Sequence, residues 1–136
     1  DTLKDGFYRT GDVGHLDEDG YLFITDRIKD MIVAGGVNIY PAEIESAICE
    51  FPDVAHCAVI GIPHEDFGEQ ILAFIVSRSA KTVDTPKLAQ FLEGRLAKFK
   101  RPHQYELVEE LPLSPVGKVL KTELREPYWL HAERNI

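Results

Sequence analysis

Two apolar runs near the middle of the chain constrain its fold more than any other feature. Val54 to Ile62 reads as a strand closed by Pro63, and Gln70 to Ser77 as another in which Ile71, Ala73 and Ile75 alternate. Helical spacing appears on either side of this pair. Pro41 suits the first position of a helix, where a missing N–H is not needed, and Glu43 and Glu45 lie in first turns whose dipole favours negative charge. Ile44, Ala47, Ile48 and Phe51 then give that helix a buried face, and Pro52 ends it. Thr85 followed by Pro86 reads as an N-cap and helix start, with Leu88, Phe91, Leu92 and Leu96 as the apolar stripe.

The remaining elements are short. Met31 to Val33 and Val37 to Ile39 read as strands around Gly35-Gly36, Tyr105 to Val108 as another, and Thr122 towards Glu126 as a short helix. Leu111 to Lys118 is a loop containing Pro and Gly. The opening segment reads as a hairpin: Phe7 to Thr10 and Val13 to Leu16, a turn at Asp17 to Gly20, then a strand from Tyr21 to Thr25. Such a hairpin buries too little surface to stand alone. The mixture is too short and irregular for a doubly wound sheet. It predicts an α+β fold: a small mixed sheet with packed helices, preceded by a β-hairpin.

At 136 residues the chain suits one compact domain with a short appendage. Its formal net charge of −8 argues against broad nucleic-acid binding, which needs a basic surface, yet leaves room for a local phosphate site. No run reaches the roughly 18 apolar residues of a membrane span, and no signal peptide opens the chain. Cys49 and Cys57 are too few for a disulfide framework and fit a reducing compartment, so a cytoplasmic location is expected. Since the chain opens on Asp1, its natural N-terminus is expected to lie elsewhere or to have been removed.

Four segments carry the functional information: Tyr8-Arg-Thr-Gly-Asp12, Asp26-Arg-Ile-Lys-Asp30, Gly35-Gly-Val-Asn-Ile-Tyr-Pro-Ala-Glu-Ile-Glu45 and Ser114-Pro-Val-Gly-Lys118. In this order they resemble the closing motifs of the adenylate-forming enzymes, the superfamily of acyl-CoA synthetases, luciferases and peptide-synthetase adenylation domains. The resemblance covers only the C-terminal part of such an enzyme, so the chain is expected to be a fragment. Residues 1–28 would be the terminal hairpin of a large N-terminal adenylation domain, and residues 29–136 a mobile C-terminal domain.

The resemblance implies a role for each marked residue. Lys118 matches the catalytic lysine of adenylation, bridging the substrate carboxylate and the α-phosphate of ATP; an ammonium on a flexible stem suits a phosphate whose charge shifts during reaction. Asp12 matches the ribose-binding aspartate, whose carboxylate can accept from two neighbouring hydroxyls. Arg27 matches the arginine on the ribose and phosphate side of the nucleotide. Lys29 falls at the hinge about which the C-terminal domain rotates between adenylation and thioester formation; relatives carry Asp or Lys there. Gly35 and Gly36 form a tight turn and match the segment lining the phosphopantetheine tunnel. Arg101, in Phe99-Lys-Arg-Pro102, is a candidate for the nucleotide end of CoA, with a solvated turn as the competing reading.

Other constellations carry less. Cys49, His56, Cys57 and His64 could be drawn as a metal set, but His56 and Cys57 point to opposite faces of a strand and Cys-x₂-Cys spacing is absent, so no metal site is expected. The resemblance therefore implies an ATP-dependent acyl-CoA ligase. In the parent enzyme ATP with Mg²⁺ and a carboxylic acid give acyl-AMP, and CoA then takes the acyl group. The isolated fragment is expected to be inactive, and its expected partners are its own N-terminal domain, ATP, CoA and the acid. Competing readings are an adenylation domain loading a carrier protein, a luciferase-like oxygenase and a non-catalytic α+β binding module.

Overall fold

The computed structural model describes residues 3–4, 7–8, 12–16, 18–20, 22–27, 30–79 and 82–130, with backbone alone for 3–4, 7–8, 12–15 and 22–27. The opening segment is built of two antiparallel pairs. Strand β1 (Leu3–Lys4) lies beside β2 (Phe7–Tyr8), and β3 (Asp12–Leu16) beside β4 (Leu22–Arg27). Each pair is a separate two-stranded sheet.

A five-stranded mixed sheet follows, in the order β6-β5-β8-β7 with β9 also on β8. Its strands are β5 (Ile32–Ala34), β6 (Val37–Ile39), β7 (Val54–His64), β8 (Gly68–Ser77) and β9 (Gln104–Val108). The apolar runs predicted as strands are the long antiparallel pair β7–β8, with Val54 opposite Ser77, a register shift before His56, and unbroken register from His56 opposite Val76 to His64 opposite Gly68. Strand β9 joins β8 in parallel, with Leu72 opposite Gln104 and Val76 opposite Val108.

Both faces of β8 are buried, so its sequence is almost continuously apolar where a one-sided strand would alternate with polar residues. Ile71, Ala73 and Ile75 face a core closed by helix α1 (Pro41–Cys49) and helix α2 (Thr85–Glu93). Leu72 and Phe74 face a smaller core with Ile60 and Ile62, covered by Leu124 and Tyr128 of helix α3 (Lys121–Trp129). Ile44 and Ile48 of α1, and Leu88 and Leu92 of α2, are fully buried. Each such side chain contributes about 1.5–3 kcal/mol relative to exposure. Phe51 and Phe91 meet edge-on, with centroids 5.2 Å apart, and join the two helices at the surface.

Three expectations need correction. Pro63 does not close β7, which runs through it to His64. On an edge strand the missing N–H need not break a ladder bond, so proline is tolerated there. The cap of α2 is Asp84, whose carboxylate accepts from Lys87 N–H at 3.2 Å; Thr85 is already helical. Helix α3 continues past Pro127 to Trp129, whose Nε1 donates to the Gly61 carbonyl at 2.9 Å and anchors the helix end on β7.

Candidate functional site

The loop carrying Lys118 is a small hairpin written into its residues. Gly117 N–H donates to the Ser114 carbonyl at 2.9 Å, closing a turn with Pro115 at its second position, where a fixed φ is favourable. Gly117 then adopts φ +85°, the left-handed conformation a three-residue hairpin loop requires. Ser114 N–H donates to the Lys118 carbonyl at 2.7 Å, Lys118 N–H to Ser114 Oγ at 3.2 Å, and Leu113 bridges Val119. The backbone of Lys118 is held at several points while its side chain stays exposed.

The loop borders a cleft of about 490 Å³, shared with Asp30, Glu45, Cys57, Lys121 and Thr122. The two acids of this cleft already have cations. Lys121 Nζ lies 2.9 Å from Glu45, and Arg125 lies 3.1 Å from Asp30. Glu45 Oε2 also accepts from Val59 N–H at 2.9 Å. With these carboxylates engaged, the Lys118 ammonium has no acceptor among the described residues. A cation presented in this way can meet an external anion.

The other predicted residues fall in different places. Asp12 and Arg27 are direct partners in the β3–β4 ladder, so the backbone sets the two nucleotide candidates opposite one another. Lys29 lies outside the described residues. Gly35 and Gly36, at φ +58° and +80°, form the two-residue turn between β5 and β6, with Ala34 opposite Val37. Both are exposed, and Gly35 N–H donates to the Phe67 carbonyl at 2.9 Å. Arg101 has a structural role, because Nη2 donates to the carbonyl of Glu93, the last residue of α2, at 3.2 Å and Nε to the Leu96 carbonyl just beyond the helix at 3.0 Å.

Two features escaped the sequence reading. Glu45, expected only to favour the helix dipole, joins α1, β7 and the start of α3 through one oxygen. Cys49 and Cys57 are neighbours across α1 and β7, their sulfurs 3.3 Å apart. Burial pushes the Cys57 thiol up, its hydrogen bond with Cys49 and the charges of Cys49 and Glu45 add to the effect, and Lys121 opposes them. Helix and strand were each legible. That α1 lies across β7 at this register was not. His56 is exposed on the strand, and among the described residues no three His, Cys, Asp or Glu side chains group to hold a metal ion.

Comparison with known proteins agrees with this architecture. The family model described as AMP-binding enzyme C-terminal domain matches residues 43–118. The chain is 45% identical over its whole length to the fatty acid–[acyl-carrier-protein] ligase ScoC of Streptomyces coeruleorubidus, covering 26% of that protein. It is 48% identical to the long-chain-fatty-acid–CoA ligase FadD13 of Mycobacterium tuberculosis, over 94% of this chain and 25% of the relative. The crystal structure of ATP-bound MatB from Rhodopseudomonas palustris superposes with a TM-score of 0.86 at 46% identity, over 93% of this chain and 25% of MatB. The chain thus spans about a quarter of the length of these relatives. By its matched model, its relatives and its fold, the chain belongs to the AMP-binding enzyme C-terminal domain family.

Proposed function

We propose that the chain is the C-terminal domain of an ATP-dependent acyl-CoA ligase, with residues 1–28 closing the preceding domain and residues 29–136 forming the mobile unit. The observation that carries the proposal is the Ser114–Lys118 hairpin, which fixes the Lys118 backbone and leaves its ammonium exposed at a cleft whose acids are already paired. In the first half-reaction the substrate carboxylate oxygen attacks the α-phosphorus of ATP and pyrophosphate leaves. Lys118 bridges the attacking carboxylate and the phosphoryl oxygens. The charge gathering on those oxygens in the transition state is what a positioned cation stabilises.

Asp12 would accept from the ribose hydroxyls and Arg27 would lie on the phosphate side; their opposition across the β3–β4 ladder supports a shared ligand. The ATP would carry Mg²⁺, bound mainly by the preceding domain. Lys29 is the proposed hinge. After rotation about it, the exposed turn at Gly35 and Gly36 would line the path of the pantetheine arm, whose thiol attacks the acyl-AMP carbonyl and expels AMP. Arg101, while holding the Phe99–Pro102 turn against α2, would offer its remaining N–H groups to a CoA phosphate. Single-turnover acyl-AMP formation by the complete ligase tests this reading. Lys118→Met, which keeps the stem and removes the charge, should slow it by about 10²–10³-fold. Wild-type rates would refute it.

A second reading replaces CoA with a carrier protein. It is favoured by the match over the whole chain to a relative named as an acyl-carrier-protein ligase. Both acceptors bring a pantetheine thiol to the same Gly35-Gly36 turn. Comparing CoA with a pantetheinylated carrier in the second half-reaction separates them: preference for CoA supports the first reading and preference for the carrier the second.

A further inference from the structure

The sulfurs of Cys49 and Cys57 lie 3.3 Å apart, yet neither has a part in the chemistry proposed above. They come from different elements: Cys49 is the last residue of α1, and Cys57 lies on β7. Cys49 is exposed, whereas Cys57 is half-buried and its thiol donates to the Glu45 carbonyl at 3.4 Å. The pair borders an open groove of about 380 Å³, which also reaches His56, Glu110 and Gly117, so a small oxidant has a path to it. The sulfurs need to close by little more than 1 Å to reach the roughly 2.05 Å of a disulfide bond.

We propose that Cys49 and Cys57 form a redox-modifiable dithiol site, oxidised by hydrogen peroxide or an organic hydroperoxide to an intradomain disulfide. Cys49, the accessible sulfur, attacks the peroxide; the O–O bond breaks, water or an alcohol leaves, and Cys49 becomes a sulfenic acid. The Cys57 sulfur then attacks the Cys49 sulfur, the S–O bond breaks and water leaves. Two thiols are oxidised and one peroxide is reduced, so electrons and atoms balance. Exchange with an external thiol returns both cysteines to the reduced form. Oxidation also removes the Cys57 hydrogen bond to the backbone of Glu45, whose carboxylate holds Lys121, so the change occurs beside the Lys118 loop. The site stands on the geometry of the two sulfurs and does not depend on the role assigned to Lys118.

Within these 136 residues a disulfide can join only the 2 cysteines, and in a longer protein the linked peptide identifies the pair. The protein is treated with a small excess of hydrogen peroxide, blocked with N-ethylmaleimide and analysed by non-reducing gel and peptide mass spectrometry. The expected result is a monomer that has lost both maleimide adducts and yields a Cys49–Cys57 linked peptide, with both adducts restored by dithiothreitol. In Cys57→Ser, the Cys49 sulfenic acid has no neighbour to condense with, so sulfinic and sulfonic forms should accumulate faster than in wild type. Retention of both adducts would overturn the proposal. So would a dimer linked through Cys49, or equal over-oxidation of Cys49 in wild type and Cys57→Ser.

Discussion

Replacing Glu45 should cost the domain far more than an ordinary helix carboxylate would. Its Oε2 accepts from Val59 N–H at 2.9 Å and pairs with Lys121 Nζ at 2.9 Å. Val59 is fully buried, and the Lys121 and Glu45 side chains keep only 12% and 24% of their exposure. A hydrogen bond to a charged acceptor contributes about 1.5–3 kcal/mol. Removing one partner of a fully buried ion pair costs about 3–5 kcal/mol, and partial exposure here reduces that figure. The terms share one carboxylate and do not simply add, so Glu45→Ala should lose about 3 kcal/mol. Glu45→Gln keeps an acceptor for Val59 and loses the charge, for about 1–1.5 kcal/mol. At roughly 4 °C per kcal/mol for a domain of this size, Glu45→Ala should melt about 12 °C lower.

Urea unfolding followed by circular dichroism would measure these differences. Adding Lys121→Met to Glu45→Gln should recover part of the loss, since removing both members of a buried pair is nearly neutral. If Glu45→Ala stays within about 0.5 kcal/mol of wild type, the cost assigned to these contacts is wrong.

Two further predictions concern other positions. At Gly61→Ala a new Cβ would overlap the Glu69 carboxylate and press on Ile32; because Glu69 is buried and accepts from Val33 N–H, relief is costly, and the variant should lose about 1–3 kcal/mol in urea unfolding, with a loss below about 0.5 kcal/mol as the contradicting result. Partial burial, then the charge of His64, lowers the His103 pKa below its ordinary 6.5, and Nδ1 must stay unprotonated to accept from Ile71 N–H at 3.0 Å. The unfolded chain therefore takes up this proton first. The stability His103 provides is present above the unfolded value and is lost as pH falls towards the folded one. His103→Asn should flatten the slope of stability from neutral pH to about pH 5, whereas an unchanged slope would contradict the assignment.

Much of the fold is legible because local chemistry and packing agree. Pro41 with Ile44, Ala47 and Ile48 specifies α1, and Ser114-Pro-Val-Gly117 specifies the loop that presents Lys118. The unread features depend on contacts between distant segments. Pro63 continues β7 because that strand is at the sheet edge, a position that alternation along the strand does not reveal. Arg101 reads from sequence as an anion ligand or a solvated turn residue, yet two of its N–H groups go to the carbonyls of Glu93, the last residue of α2, and Leu96 just beyond it. The meeting of Cys49 with Cys57, and of Glu45 with Lys121, required the placement of α1 across β7 and beside the start of α3.

The most direct test of the central claim compares Lys118→Ala with wild type in the complete ligase, one half-reaction at a time. One assay follows carboxylate-dependent pyrophosphate release from ATP; the other follows thioester formation from pre-made acyl-AMP. Loss of a transition-state cation should slow the first by about 10²–10³-fold and leave the second within about twofold, since the proposal gives Lys118 a role in adenylation alone. Unchanged pyrophosphate release, or equal loss in both assays, would contradict the role assigned to Lys118.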